Sequence, residues 1–315
     1  MTNLVASIRK RLKKFKWSVA SPEMAALDQR PAALTMLFPD ESESLREFTM
    51  TNYTGHGEIV DLGAWAGSST LALAQGLAQN KKVDTRRKRI HAYDIFIWEQ
   101  WMSDIPWNTP LVDGYKPGDS FLPLYEQQIS EYSHLIETYP GDLNAMPEFP
   151  YKIEYLFVDV MKTFELANSS LQKFFTQLIP GKSVVHHQDY NHYFTPWIHL
   201  LMYRFKSHFK LRKYVNATPS TIFDYVSAIP REQLMQSYSF DSFGKDEFEA
   251  AFEYSLSITG KAARPSIESA RVMSFIHQDR WEEAEAEYAG LKAKYPGKDY
   301  DVQQIESILK TRTYR

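Results

Sequence analysis

A doubly wound α/β fold, with a mostly parallel seven-stranded sheet and helical extensions at both ends, is what this sequence predicts. Three observations carry the prediction. From residue 58 onward, apolar runs of strand length alternate with segments of helical period, the pattern of a parallel sheet covered on both faces. Glycines and acids recur where those runs end, at Gly63, Asp94 and Gly141-Asp142. The chain has 315 residues, 43% hydrophobic and 24% charged, enough to bury a sizeable core in one large domain or one domain plus an extension.

The elements follow in order. Residues 1–54 read as an N-terminal helical region. Within the first 17 residues, Arg9, Lys10, Arg11, Lys13, Lys14 and Lys16 are cationic and no acid occurs before Glu23. Leu4, Val5, Ile8, Leu12 and Phe15 recur at helical spacing and form one apolar stripe. This basic helix is open to two readings: contact with anionic lipid or another polyanion, or an exposed helix or tail that does nothing of the kind. Ser21-Pro22-Glu23 offers an N-cap with proline at the first helical position. A second helix start lies at Asp40–Ser44, leading into Leu45, Phe48 and Met50.

Residues 55–229 form the predicted sheet domain. Ile59–Leu62 is a buried strand, Gly63–Gly67 a turn and Thr70–Gln79 a helix. Ile90–Ile95 is the second strand. Residues 96–118 hold three Trp, two Gly and several prolines, so they form a long loop. Phe121–Tyr132 is helical, and His134–Tyr139 is the third strand. Ile153–Val160 is the fourth strand, followed by a helix over Thr163–Leu178 that Pro180-Gly181 stops. Ser183–His187 is the fifth strand, and Phe194–Lys206 is helical. Lys210–Ala217 and Thr221–Ala228, joined at Thr218-Pro219-Ser220, form an antiparallel end to the sheet. Residues 230–315 read as a helical appendage for packing or self-association. Asp279–Pro296 resembles half of a tetratricopeptide unit through Ala284, Tyr288 and Pro296, and one unit does not make a solenoid.

Composition removes several function classes. The net charge of -3 argues against a general nucleic-acid binder. The absence of Cys removes disulfide scaffolds, thiolate zinc sites, iron–sulfur clusters and thiol nucleophiles. No apolar run reaches the length of a membrane span, and the basic N-terminus lacks the apolar stretch of a signal peptide. A cytoplasmic protein, with or without membrane association through residues 1–17, is the expectation. The 19 Tyr, 19 Phe and 7 Trp suit a planar or sugar-like ligand, or simply a core.

The chemistry concentrates at the strand ends, where sheets of this kind bind ligands. Asp61 is followed by Gly63, Gly67, Ser68 and Ser69. Gly63 lets the backbone turn sharply and Gly67 opens a helix whose free amides attract an anionic group. The spacing is not that of a dinucleotide fingerprint. An acid before the first glycine would repel a pyrophosphate and suits a ligand with an amine close to its carboxylate. Asp94 ends the second strand, where a carboxylate accepts both hydroxyls of a ribose or is a plain strand-end or turn Asp. Asp142 is either a contact for an adenine amine or a surface turn.

These ordered pieces, with Tyr93-Asp94-Ile95-Phe96, Phe157-Val158-Asp159 and Pro180-Gly181 leading to Gln188-Asp189-Tyr190, resemble the class I S-adenosylmethionine-dependent methyltransferases. Within them the chain is similar to the macrocin O-methyltransferase group over residues 55–228. The resemblance implies a Rossmann-like methyltransferase fold. It implies that Asp61, Gly63, Gly67, Ser68 and Ser69 hold the methionine part of the cofactor, Asp94 the ribose and Asp142 the adenine. The metal-binding part departs from the family. Its Asp-x-Asp at the fourth strand is Asp159-Val160-Met161 here, and its Asp-Asp-Tyr after the fifth is Gln188-Asp189-Tyr190. Phe157–Lys162 also looks like catechol O-methyltransferase, where an Asp binds magnesium and a Lys three residues later is the base.

Asp159, Asp189 and the Gln188 carbonyl supply three oxygens for Mg2+, while His186 and His187 would favour a softer divalent metal. Strand alternation instead sends those two histidines to opposite faces. The function expected is S-adenosylmethionine-dependent O-methyl transfer to a hydroxyl of a sugar, glycan or secondary metabolite, with divalent-metal assistance. Lys162 is the expected base and His187 the reserve. The alternatives are a methyltransferase fold kept as a binding scaffold, and a metal-independent enzyme with a His base. A homo-oligomer fits either. If the basic face of residues 1–17 meets membranes, deleting it abolishes binding to anionic liposomes. Binding then also fades with salt, each basic residue contributing about 1 kcal/mol. Cosedimentation at low salt checks this, and no binding by the intact chain refutes it.

Overall fold

The computed structural model describes residues 34–313, apart from 106, 108 and 298. The basic segment 1–17 and the helix start at Ser21-Pro22-Glu23 lie outside the described residues.

Helix α1 (Pro39–Glu47) begins with proline at its first position and two acids in its first turn, both suited to a helix N-terminus. It runs into a π-helical turn, Phe48–Asn52. Strand β1 (Glu58–Leu62) leads through the glycine turn to α2 (Ser68–Gln79), then β2 (Ile90–Asp94). Helix α3 (Leu122–Ile129) and β3 (Ile136–Pro140) follow, then β4 (Ile153–Val158) and α4 (Phe164–Lys173). Next come β5 (Val184–His187), α5 (Pro196–Arg204), β6 (Phe209–Tyr214) and β7 (Thr221–Tyr225).

The seven strands form one sheet in the order β3-β2-β1-β4-β5-β7-β6. Strands β1 to β5 pair in parallel, while β7 runs antiparallel to both β5 and β6. The doubly wound, mostly parallel sheet expected from the sequence is present, with its antiparallel end. All of β1, β4 and β5 is buried. Such strands, covered on both faces, read as near-continuous apolar runs. Strand ends differ from expectation by a few residues. Ser130–Leu135 coils into a 3-10 turn, so β3 starts at Ile136. After Val158 the chain folds back, with the Lys162 amide donating to the Val160 carbonyl.

Two buried layers flank the sheet. Ile59, Ala92, Phe96, Tyr125 and Phe157 belong to one; Val60, Leu156, Phe174, Val185 and Leu200 belong to the other. The long loop after β2 docks by its own aromatics. Trp98 is 2% exposed and stacks on Tyr115 at 5.1 Å.

The C-terminal region consists of α6 (Lys245–Ile258), α7 (Arg264–Ile276), α8 (Trp281–Lys294) and α9 (Tyr300–Thr311). Phe252, Ile267 and Ala270 join the same buried cluster as Val185 and Leu200, so α6 and α7 are fastened to the sheet domain. Met273, Ile276, Ala284, Ile305 and Ile308 form a separate apolar centre among α7, α8 and α9. Ala284, picked out by the repeat-like pattern, is fully buried in it. Among the described residues no helix is long and apolar enough to cross a membrane.

Gly63 sits where β1 meets the chain leaving β4. Its φ is +89°, and a Cβ there would lie 2.7 Å from the Asp159 carbonyl oxygen. Both the left-handed backbone and the contact exclude a side chain. Gly63→Ala therefore lowers stability by more than about 1 kcal/mol. A urea titration reads this, and an unchanged midpoint contradicts the packing.

Candidate functional site

The sheet reverses its strand order between β1 and β4, and the crevice beyond such a point is where doubly wound sheets bind ligands. The candidate residues divide across it.

On the β1–β2 side the backbone is tightly tied. The Gly63 and Ala64 amides both donate to the Tyr93 carbonyl, at 2.9 and 3.1 Å. Gly63, Trp65 and Gly67 all have positive φ. This turn aims the Trp65 amide at Asp94 Oδ2, 2.9 Å away. The Phe96 amide donates to Asp94 Oδ1 at 2.8 Å. Asp94 is thus held by one backbone donor on each oxygen, and each oxygen keeps a lone pair for a hydroxyl. Burial pushes its carboxyl above the ordinary range, against the pull of those two amides. The Trp65 ring meets Trp107 of the long loop, with centroids 5.2 Å apart, so the aromatic loop forms a wall beside the glycine turn.

Asp61 and Ser69 are arranged differently from the sequence expectation. Asp61 is fully buried, and its Oδ2 accepts from Ser69 Oγ and Thr70 Oγ1 in the first turn of α2. Ser69 is 3% exposed and faces Asp61 rather than the crevice. Burial raises the Asp61 carboxyl to about 6. Its Oδ1 has no partner among the described residues, and that atom is what remains for an amine. Ser68 is half-buried at the opening of α2. Asp142 is exposed and caps a short turn through the Asn144 amide, at 2.9 Å. That is the surface-turn reading of this residue.

On the β4–β5 side the two acids converge as expected, around a cation the sequence expectation used otherwise. The Lys162 ammonium donates to Asp159 Oδ1 at 2.6 Å and also to Asp189 Oδ2. The Gln188 amide, oriented as its neighbours require, donates to Asp159 Oδ1 at 3.1 Å and to Asp189 Oδ1 at 2.7 Å. Four donor contacts therefore bind the carboxylates together. Partial loss of water works against the Lys162 charge, although its side chain is 48% exposed, but the two carboxylates outweigh this and hold the ammonium above its ordinary range. A lysine in that state is a poor base, which corrects its expected role. In the orientation that satisfies its neighbours, Gln188 lies between the two acids with its NH2 towards them.

The histidines are corrected as well. His187 is 1% exposed and lies among Met161, Leu171, Phe175, Ile198 and Leu201. Neither of its ring nitrogens has a partner among the described residues. Burial lowers it to about 3, so it stays neutral inside an apolar layer, out of reach of an acceptor. His186 points to the opposite face, where its Nδ1 meets the Tyr155 hydroxyl at 2.7 Å. Strand alternation foresaw the opposite faces; helices covering both made each face a core.

The fit to a divalent ion fails at the same centre. Among the described residues no group of three His, Cys, Asp or Glu is placed to hold a metal. Met161, three residues into the loop after β4 and two past Asp159, is 3% exposed and turned into the His187 layer. The two carboxylates that face Lys162, Asp159 and Asp189, are both engaged by Lys162 and Gln188.

Glu41 is a further buried acid, near enough for the charges of Asp159 and Asp189 to reach it, that sequence reasoning passed over. It is fully buried, with Oε2 accepting from the Phe38 amide at 2.8 Å and Oε1 from Ser220 Oγ at 2.6 Å. Burial raises its carboxyl to about 8, and the charges of Asp159 and Asp189 add to the shift. The helix start at Asp40–Ser44 was legible; the β6–β7 hairpin that closes over it was not.

No protein-family model matches this chain, and no curated protein matches it in sequence. Among solved structures it is similar to the O-methyltransferase NovP, at 16% identity. That match covers 61% of this chain and 82% of NovP, with a TM-score of 0.47. It is also similar to the calicheamicin methyltransferase CalS11, at 14% identity over 70% of this chain and 91% of that one, with a TM-score of 0.46. A Bacillus cereus O-methyltransferase in complex with SAH matches at 13% identity over 70% of this chain and 91% of that one, with a TM-score of 0.37.

The buried Glu41 makes a pH-dependent contribution. Its folded pKa of about 8 lies above the ordinary carboxylate value of 4.5. The folded chain then keeps a proton that the unfolded chain has released, so this contribution is full below 4.5 and is lost as pH rises towards about 8. Glu41→Gln removes the titration. Relative to this variant, the wild type loses stability with rising pH, by on the order of 1 kcal/mol per pH unit across that window. Urea unfolding at about pH 5 and about pH 8 checks it; a constant difference between the two proteins places Glu41 in contact with water.

Proposed function

We propose that this chain is an S-adenosylmethionine-dependent O-methyltransferase acting on a hydroxyl of a sugar, glycan or secondary metabolite. One observation supports the reading most. Asp94 is fixed by the Trp65 and Phe96 amides at the end of β2, beside a two-glycine turn. Directly across the switch point stands a charged centre on β4 and β5. A hydroxyl-accepting carboxylate on one side and a charged centre on the other suit a nucleoside-bearing cofactor facing a polar acceptor.

The residues present fit such a cofactor. Asp94 would take the ribose hydroxyls, the 63–67 turn would border the amino-acid part, and Asp61 Oδ1 is the oxygen left for its amine. When bound, the cofactor supplies a methyl group on a sulfonium, and the acceptor oxygen must lie in line with it and lose its proton. The chain's share is alignment, proton removal and exclusion of water. Trp65 and Trp107 wall the crevice beside the turn. Asp159 Oδ2, which accepts from neither Lys162 nor Gln188, is the atom we assign to the acceptor's proton.

Calorimetry with S-adenosylhomocysteine is expected to show one site per chain. Asp94→Ala weakens it by roughly 1–3 kcal/mol, the scale of hydrogen bonds to a charged group. Binding of NAD in place of S-adenosylhomocysteine overturns the class. Binding without turnover across a broad panel of hydroxylated acceptors turns the reading towards a scaffold.

A further inference from the structure

We propose that the Lys162 ammonium is the built-in cation of this centre, occupying the place between Asp159 and Asp189 where a divalent ion would otherwise bridge them. Methyl transfer at this site then needs no metal. The acceptor's part in this rests on the methyltransferase reading above; the exclusion of metal does not.

Four observations carry it. Lys162 contacts both carboxylates, at 2.6 Å from Asp159 Oδ1 and in direct contact with Asp189 Oδ2. The Gln188 NH2 bridges the same two acids from another direction, which presents donors where a metal needs oxygens. Met161 is buried in the apolar layer, so the third oxygen vertex is gone. The Trp197 indole donates to the Met161 carbonyl at 2.7 Å, and this fixes the loop that carries Lys162. An ion entering between the carboxylates would meet an ammonium at contact distance, and like charges repel.

The ammonium is also available to a ligand. Its side chain is 48% exposed while that of Asp189 is 9% exposed, so the cation forms the open surface of the cluster. A hydroxyl bound there would be oriented by Lys162, and negative charge developing on its oxygen would be stabilised by a fixed charge.

Manganese binding to the intact chain tests the proposal without any turnover. Electron paramagnetic resonance of free Mn2+ would follow titrations of the wild type, Lys162→Ala and Lys162→Ala with Asp159→Asn. The expected result is no binding by the wild type at millimolar Mn2+, weak binding of one ion per chain in Lys162→Ala, where the two freed carboxylates, a Gln188 amide turned to present its carbonyl and water supply the oxygens, and loss of that ion in the double variant. Thermal unfolding gives a second readout. Mn2+ should raise the Tm of Lys162→Ala and leave that of the wild type unchanged, because only a state that binds the ion is stabilised by it. One Mn2+ bound by the wild type overturns the proposal, even if the variants fail to fold. No binding by a folded Lys162→Ala also overturns it, since the acids would then not be a metal place at all. S-adenosylhomocysteine affinity, measured with and without chelator, is read separately. Its absence sinks the methyltransferase reading and leaves the manganese result standing.

Discussion

The whole centre hangs on the contact between β1 and β4 at their carboxyl ends. The Asp159 amide donates to the Leu62 carbonyl at 2.8 Å, and Gly63 lies flat against the Asp159 carbonyl. Gly63 and Ala64 in turn donate to Tyr93 on β2. Three strand ends are thereby fixed to one another through backbone atoms alone. The distance between Asp94 and Asp159 is set by the sheet, not by side-chain rotamers. A site that must align two reactants gains from this kind of support, since backbone ladders move less than loops.

A second support comes from outside the sheet domain. The loop after β5 carries Asp189, and the next residue, Tyr190, meets Ser255 Oγ of α6 at 2.9 Å. His199 of α5 reaches the same Ser255 oxygen at 2.9 Å. His277, just past α7, packs on Trp197 with centroids 5.1 Å apart, and Trp197 holds the Met161 carbonyl. The C-terminal helices therefore back both acid-bearing loops. Among the described residues they contribute no acid or base to the centre, and their effect on it runs through Tyr190 and Trp197. Buried polar links of this sort fix one arrangement of a loop among several that apolar packing alone would allow.

Much of this was legible in the sequence. The strands of a doubly wound sheet are buried on both faces, so β1, β4 and β5 stand out as apolar runs. Asp94 was legible as an acid at the end of such a run, but its two backbone donors, the Trp65 and Phe96 amides, were not. The convergence of Asp159 and Asp189 followed from the adjacency of β4 and β5. What the sequence left out was direction. Spacing placed Lys162 near Asp159 but did not say that its ammonium turns back to both acids. It placed Gln188 in the centre without saying which end of the amide faces in. Glu41 is 179 residues from Ser220 in the chain, and its burial depends on that distant hairpin. Periodicity reads local pattern, and these three facts are products of long-range packing.

Charge balance ties these parts together. One ammonium faces Asp159 and Asp189, and the charges of these two acids reach the buried Glu41. Glu41 is kept largely protonated below about pH 8 by its burial and by the two acids near it. The centre therefore does not carry three negative charges against one positive, which would cost far more than a half-buried cluster can offset. The ammonium of Lys162 offsets the repulsion between the two acids that converge at the strand ends, and a protonated Glu41 adds no further negative charge beside them. A divalent ion would meet that need with a charge of two, but it requires oxygens that Met161 and the Gln188 NH2 do not offer. With two carboxylates against one ammonium, the centre gives little attraction to an anionic acceptor, and it gives a neutral hydroxyl both a donor and acceptors. Within the proposed function, the electrostatics thus suit a polyhydroxylated, uncharged acceptor better than a phosphate or carboxylate.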